Sequence, residues 1–95
     1  MIFAVAEAEV AEADSHRVLT AWSNLVVGEK PPGMLECYLL RGDDMWQIAS
    51  VWDDDASLNL ALGDERTHPA YAVFEAAGVD PRHNSMQVTG RLIGP

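Results

Sequence analysis

Ninety-five residues, 48% of them hydrophobic, with fifteen acidic and six basic side chains and a formal charge of −9, describe one small acidic domain spanning 1–95. So acidic a chain is repelled by phosphate backbones and anionic headgroups, which sets aside nucleic acid and membrane surfaces as partners. A lone cysteine, Cys37, excludes an intrachain disulfide framework and points to a reducing cytoplasm.

The opening "MIFAVAEAEV" has no basic leader and turns polar after a short apolar start, so the chain reads as mature, soluble and untargeted. Period-two alternation predicts a first strand over Phe3–Val10. In "DSHRVLTAWSNLVV" the residues Val18, Leu19, Trp22, Leu25 and Val26 recur at helical spacing behind an Asp14 or Ser15 cap, which predicts a first helix. Gly28 and then Pro31, Pro32 and Gly33 end it. "MLECYLLR" is the second strand, Gly42–Asp44 a hairpin turn, and "MWQIASVW" the third strand.

Asp53 or Asp54 opens the second helix, where carboxylates cap free N–H groups and complement the dipole. Leu58, Ala61 and Leu62 continue it; "GDERTH" interrupts it; "PAYAVFEAAG" resumes it, with Pro69 near a first turn and Gly78 closing. "VDPRHN" reads as a loop and "SMQVTGRLI", Ser85 to Ile93, as the fourth strand. The order β-α-β-β-α-β predicts an α+β ferredoxin-like fold: a four-stranded antiparallel sheet with two helices on one face.

The uncovered face of such a sheet should be polar. Here the third strand offers Trp46, Ile48 and Trp52 with one parity and Ala49 and Val51 with the other. The second offers Leu35, Cys37 and Leu39 against Met34, Tyr38 and Leu40. Two apolar faces call for a second sheet, and a homodimer packed sheet to sheet supplies it.

"PPGMLECYLLRGDD" followed by "MWQIASVWDDDASLNLAL" resembles the antibiotic biosynthesis monooxygenase family of dimeric α+β barrels, which has a Pro-Gly turn, a strand ending Leu-Leu-Arg, and a strand ending in Trp before an acidic helix start. The likeness covers Phe3 to Leu92. It implies oxygenation without metal, flavin or other cofactor: a phenolic or anthrone-like substrate loses a proton, and its electron-rich carbanion reduces dioxygen directly. A haem-degrading subgroup carries an asparagine, a tryptophan and a histidine at positions that fall near Ala8, Ala61 and Tyr71. None matches, so haem degradation is not expected.

Such chemistry asks for a base, an aromatic wall for a planar, hydrophobic small molecule, and polar donors. His68, before Pro69 in the break of the second helix, is the chosen base, because an unperturbed pKa of about 6.5 suits proton abstraction near neutrality. His16 and His83 rank below it, as a solvent-facing and a loop residue. Trp52 matches the family's strand-end tryptophan and is the candidate wall, although packing at the sheet–helix junction explains it as well. Tyr38, Tyr71 and Asn24 are the candidate donors; a tyrosine hydroxyl satisfied by backbone is equally common. Arg41 is expected to pair with Asp43 or Asp44, and three histidines without i, i+4 spacing predict no metal site. Two rival readings share the fold: a non-catalytic small-molecule-binding protein, and an isomerase or cyclase that does not use dioxygen.

Overall fold

The computed structural model describes residues 1–63 and 69–95. Among the described residues, four strands, β1 (Ile2–Glu9), β2 (Met34–Arg41), β3 (Met45–Trp52) and β4 (Arg82–Gln87), and three α-helices, α1 (Ser15–Val27), α2 (Asp55–Gly63) and α3 (Pro69–Ala76), follow in the order β1-α1-β2-β3-α2-α3-β4, with a short 3-10 turn at Glu12–Asp14 before α1. The strands form one antiparallel sheet in the order β2-β3-β1-β4, the α+β ferredoxin-like arrangement.

Alternation sorts the sheet into two faces. Ile2, Ala4, Ala6 and Ala8 of β1 are buried beside Trp46, Ile48, Ser50 and Trp52 of β3, on the side that meets the helices. Phe3, Val5, Ala49 and Val51 lie on the other side. On β2 the alternation breaks, because the register slips between Met34 and Glu36. That bulge lets Met34, Cys37 and Leu39 all pack on the helix-side core while Tyr38 and Leu40 stay half exposed on the outer face. The simple odd–even split predicted for this strand is corrected accordingly.

The joints are local hydrogen-bond solutions. Gly33, at φ +84°, takes a backbone conformation that glycine adopts without a Cβ penalty, and its carbonyl accepts the Asp53 N–H at 2.8 Å. Asp54 Oδ1 accepts the Ser57 N–H at 2.8 Å, so Asp54 caps α2 as its position predicts. α3 ends in a Schellman pair: the Gly78 N–H donates to Glu75 O at 2.9 Å and the Val79 N–H to Phe74 O at 3.1 Å, with Val79 packed on the core. Three expectations change. Asp14 makes no side-chain cap for α1, and instead Ser15 Oγ donates back to Glu12 O. Leu19 and Val26 lie about half exposed, so the buried stripe of α1 is narrower than its spacing implied. The fourth strand begins three residues earlier than predicted and stops at Gln87, because its polar inner positions hide the alternation.

The core falls into two clusters. The larger joins Ala6, Ala8, Val10, Val18, Trp46 and Ile48 to Ala70, Val73, Phe74 and Ala77, between the sheet and α1 with α3. The smaller gathers Ile2, Ala4, Trp52, Leu58 and Ala61, with Met34 against it, under α2.

Candidate functional site

Trp52 is completely buried at the end of β3, and its Nε1–H donates to Ser50 Oγ at 2.8 Å. Both side chains point to the helix layer, since residues two apart on a strand share a face. The strand residues before it are β-branched, small or aromatic, and Asp53 and Asp54 turn the chain straight into α2, so the indole is clamped between sheet and helix. It is a wall of the helix-side interior, and the hydroxyl of Ser50 satisfies its polar edge.

The other named residues do not gather around it. Tyr38 sits on the outer face, half exposed, opposite Ala49, and its hydroxyl donates to Glu36 Oε2 at 3.1 Å. That bond and the Glu36 charge raise the Tyr38 pKa. Tyr71 lines a depression of about 400 Å³ with Glu75, Gly78, Val79, Asp80 and Pro81 at the end of α3. Asn24 is exposed on α1, in a shallow hollow with His16, Arg17, Thr20, Ala21 and Ala76. The four substrate-binding candidates therefore occupy four separate places. His68, the chosen base, lies outside the described residues.

The sequence reading placed His83 in a loop, and the structure corrects that. His83 belongs to β4 and stands in register with Ala6, whose side chain is buried against the helices. Its imidazole is half buried on that side, and burial pushes its pKa down, which favours the neutral form that accepts a proton. The signal was faint: "RHNSMQ" alternates, but an edge strand can keep polar residues on both faces. Ser50, likewise overlooked, was hidden inside an apolar run.

Cys37 faces the same interior, opposite Ser50. Burial pushes its thiol up to about 11, against a smaller lowering from a backbone hydrogen bond at Tyr38, so it stays a packing thiol at neutral pH. Arg41 does not pair with the turn aspartates. Its guanidinium reaches Glu12 at 3.2 Å and lies 4.8 Å from the centre of the Trp46 ring. On the outer face Glu7 takes a hydrogen bond from Gln47 at 3.1 Å and an ion pair from Arg82 at 2.9 Å, tying three strands together. Among the described residues, no group of three or more His, Cys, Asp or Glu is placed to hold a metal ion, and no helix is long and apolar enough to cross a membrane.

No family profile and no curated protein matches the sequence. Solved structures do match in shape. An antibiotic biosynthesis monooxygenase superposes with a TM-score of 0.69 at 17% identity, covering 95% of this chain and 100% of that one. A variant of SnoaB, a cofactor-independent oxygenase from Streptomyces nogalater, gives 0.70 at 18% identity over 96% of this chain and 95% of its own. The chain has the antibiotic biosynthesis monooxygenase fold. A variant of MhuD holding two manganese protoporphyrin IX molecules per active site shares that monooxygenase-type fold, with a TM-score of 0.70, 14% identity and coverage of 99% and 100%. Structures of this one fold thus include a cofactor-independent oxygenase and a porphyrin binder, so the fold alone chooses neither the chemistry nor the substrate.

Proposed function

We propose that the protein is a cofactor-independent monooxygenase acting on a polycyclic aromatic or quinol-type small molecule with dioxygen, as a homodimer packed sheet to sheet, in the cytoplasm. The observation that supports it most is His83, an imidazole half buried on the sheet face that meets the helices, where burial lowers its pKa. The fold shared with SnoaB and the buried Trp52 indole agree with it.

In the reaction a base takes a proton from an activated CH₂ of the substrate. The carbanion passes its electrons to dioxygen, and the peroxide that forms loses water to leave a carbonyl. One oxygen atom ends in the product and the other in water, so no outside reductant is consumed. Donors near the developing oxyanion lower the barrier, and an apolar surround keeps water from the carbanion. Two histidines qualify as the base: His68 from its place before Pro69, and His83 from its burial.

The test is oxygen uptake by purified, metal-free and flavin-free protein over a panel of anthrones and hydroquinones, with His68→Ala and His83→Ala alongside. Label from isotopic dioxygen should enter the product, and one of the two variants should lose turnover. Unchanged turnover in both removes a histidine base. The scatter of Trp52, Tyr38, Tyr71 and Asn24 over four places favours a second reading, a small-molecule-binding protein without turnover. Tryptophan fluorescence quenching by the same compounds with no oxygen uptake would select it. A product of unchanged mass would select an isomerase or cyclase.

A further inference from the structure

We propose that Ser85 and Gln87 are the donors that hold the substrate's oxygen, so that β4 presents His83, Ser85 and Gln87 as one polar strip to a ring whose acidic CH₂ and oxygen stand on opposite carbons. The assignment rests on the oxygenation reading, with His83 as the base, and names the arrangement of groups that a substrate must carry.

Register puts the three residues on the helix side of the sheet. Gln87 stands opposite Ile2, Ser85 opposite Ala4 and His83 opposite Ala6, and all three partners on β1 are buried against the helices. Residues two apart on a strand share a face, so Arg82, Asn84 and Met86 take the outer one.

Exposure shows where the helix layer stops. Ile2, Ala4 and Ala6 are 6%, 1% and 1% exposed, whereas His83 is only half buried and Ser85 and Gln87 are exposed. The cover also changes hands at this point: Ala4 belongs to the core cluster of Leu58 and Ala61 from α2, and Ala6 to that of Ala70 and Phe74 from α3. The strip therefore runs beside the seam between two separately packed helices, open to a ligand from water.

The side-chain chemistry suits an oxygen. Among the described residues no hydrogen bond occupies the Ser85 hydroxyl or the Gln87 carboxamide, while Arg82 on the outer face is engaged by Glu7 at 2.9 Å. Hydroxyl and carboxamide NH₂ groups both donate. When His83 takes a proton from the CH₂, the C–H electron pair moves through the conjugated ring to the carbonyl on the opposite carbon, whose oxygen becomes an enolate. Two donors directed at that oxygen stabilise its charge. Successive inward positions on a strand lie about 6–7 Å apart, a gap that one six-membered ring bridges with a hydrogen bond at its oxygen end.

The experiment measures oxygen uptake with anthrone, and binding of anthraquinone and of anthracene, which has the same rings without oxygen, by tryptophan fluorescence. Wild type is compared with Ser85→Ala, Ser85→Thr, Ser85→Ala/Gln87→Leu, and Asn84→Ala on the other face of the same strand, with circular dichroism on each. The double variant should lose at least about tenfold in kcat/KM for anthrone and in anthraquinone affinity, with anthracene binding and the pH profile of kcat unmoved. Ser85→Thr, which keeps the hydroxyl, should restore most of what Ser85→Ala loses, and Asn84→Ala should match the wild type. Wild-type turnover in the double variant, or an equal loss of anthracene binding, overturns the strip and leaves the oxygenation reading standing. No oxygen uptake by the wild type, with the tenfold loss of anthraquinone affinity still present, overturns oxygenation and upholds the strip as an oxygen-holding site. Neither uptake nor any preference for anthraquinone over anthracene overturns both.

Discussion

Replacing Gly33 with alanine tests how the β2 entry is locked to α2. At φ +84° an alanine pays the left-handed cost of about 1–2 kcal/mol. Its Cβ would also stand within 2.2 Å of Ser57 Oγ and 2.4 Å of Ser57 Cβ, contacts that no rotamer change removes, because one of them is Cβ. Overpacking of this kind costs about 1–3 kcal/mol, so the total loss is about 2–5 kcal/mol, or more than roughly 10 °C in Tm for a domain this small. Gly78→Ala is the control: its φ is +72° but nothing lies within 4 Å of the new Cβ, so only the conformational cost applies. Urea unfolding followed by tryptophan fluorescence gives both values. Adding Ser57→Gly to Gly33→Ala should recover part of the loss. Equal destabilisation by the two alanines, or no recovery, would refute the claim that Gly33 is required for close approach to α2.

Cys37, its thiol pushed up to about 11 from the ordinary 9.0, should react with iodoacetamide at pH 8 at least about tenfold more slowly in the folded protein than in urea; equal rates would contradict its burial. His83 has its folded pKa below the ordinary 6.5, so the unfolded chain binds more protons between the two values and stability should fall as pH drops from 6.5 through the folded value. His83→Gln should flatten that part of the Tm–pH curve, and an unchanged slope would move the effect elsewhere. Asp54 is lowered by the N–H and side-chain hydrogen bonds of Ser57. Its contribution should be complete above pH 3.8 and fade as pH falls through the lower folded value, a loss that Asp54→Asn removes.

The fold was legible because its signals are periodic and repeated. Strand parity in "MWQIASVW", the Pro-Pro-Gly stop, the Asp54 cap and the Gly78 terminator each act locally, and the structure uses them all. The site was less legible because residue type does not say which face a side chain takes. Tyr38 and Cys37 are neighbours in sequence, yet Tyr38 stays half exposed on the outer face while Cys37 packs against the core, and the irregularity between Met34 and Glu36 sets that strand's register. The strand position of His83 was not foreseen for a related reason: an edge strand of polar residues carries little hydrophobic contrast, so its inward position appears only from its pairing with Ala6.

The division of the core has a consequence for local stability. The cluster under α2 shares no buried member with the cluster that holds α1 and α3 to the sheet. Lifting α2 therefore exposes Ile2, Leu58 and Trp52 without disturbing Val18, Phe74 or Ile48, and needs less free energy than global unfolding. Amide exchange in Asp55–Ala61 should proceed through this partial opening while α1 stays protected, so the two halves of the helix layer differ in local stability although they share one sheet.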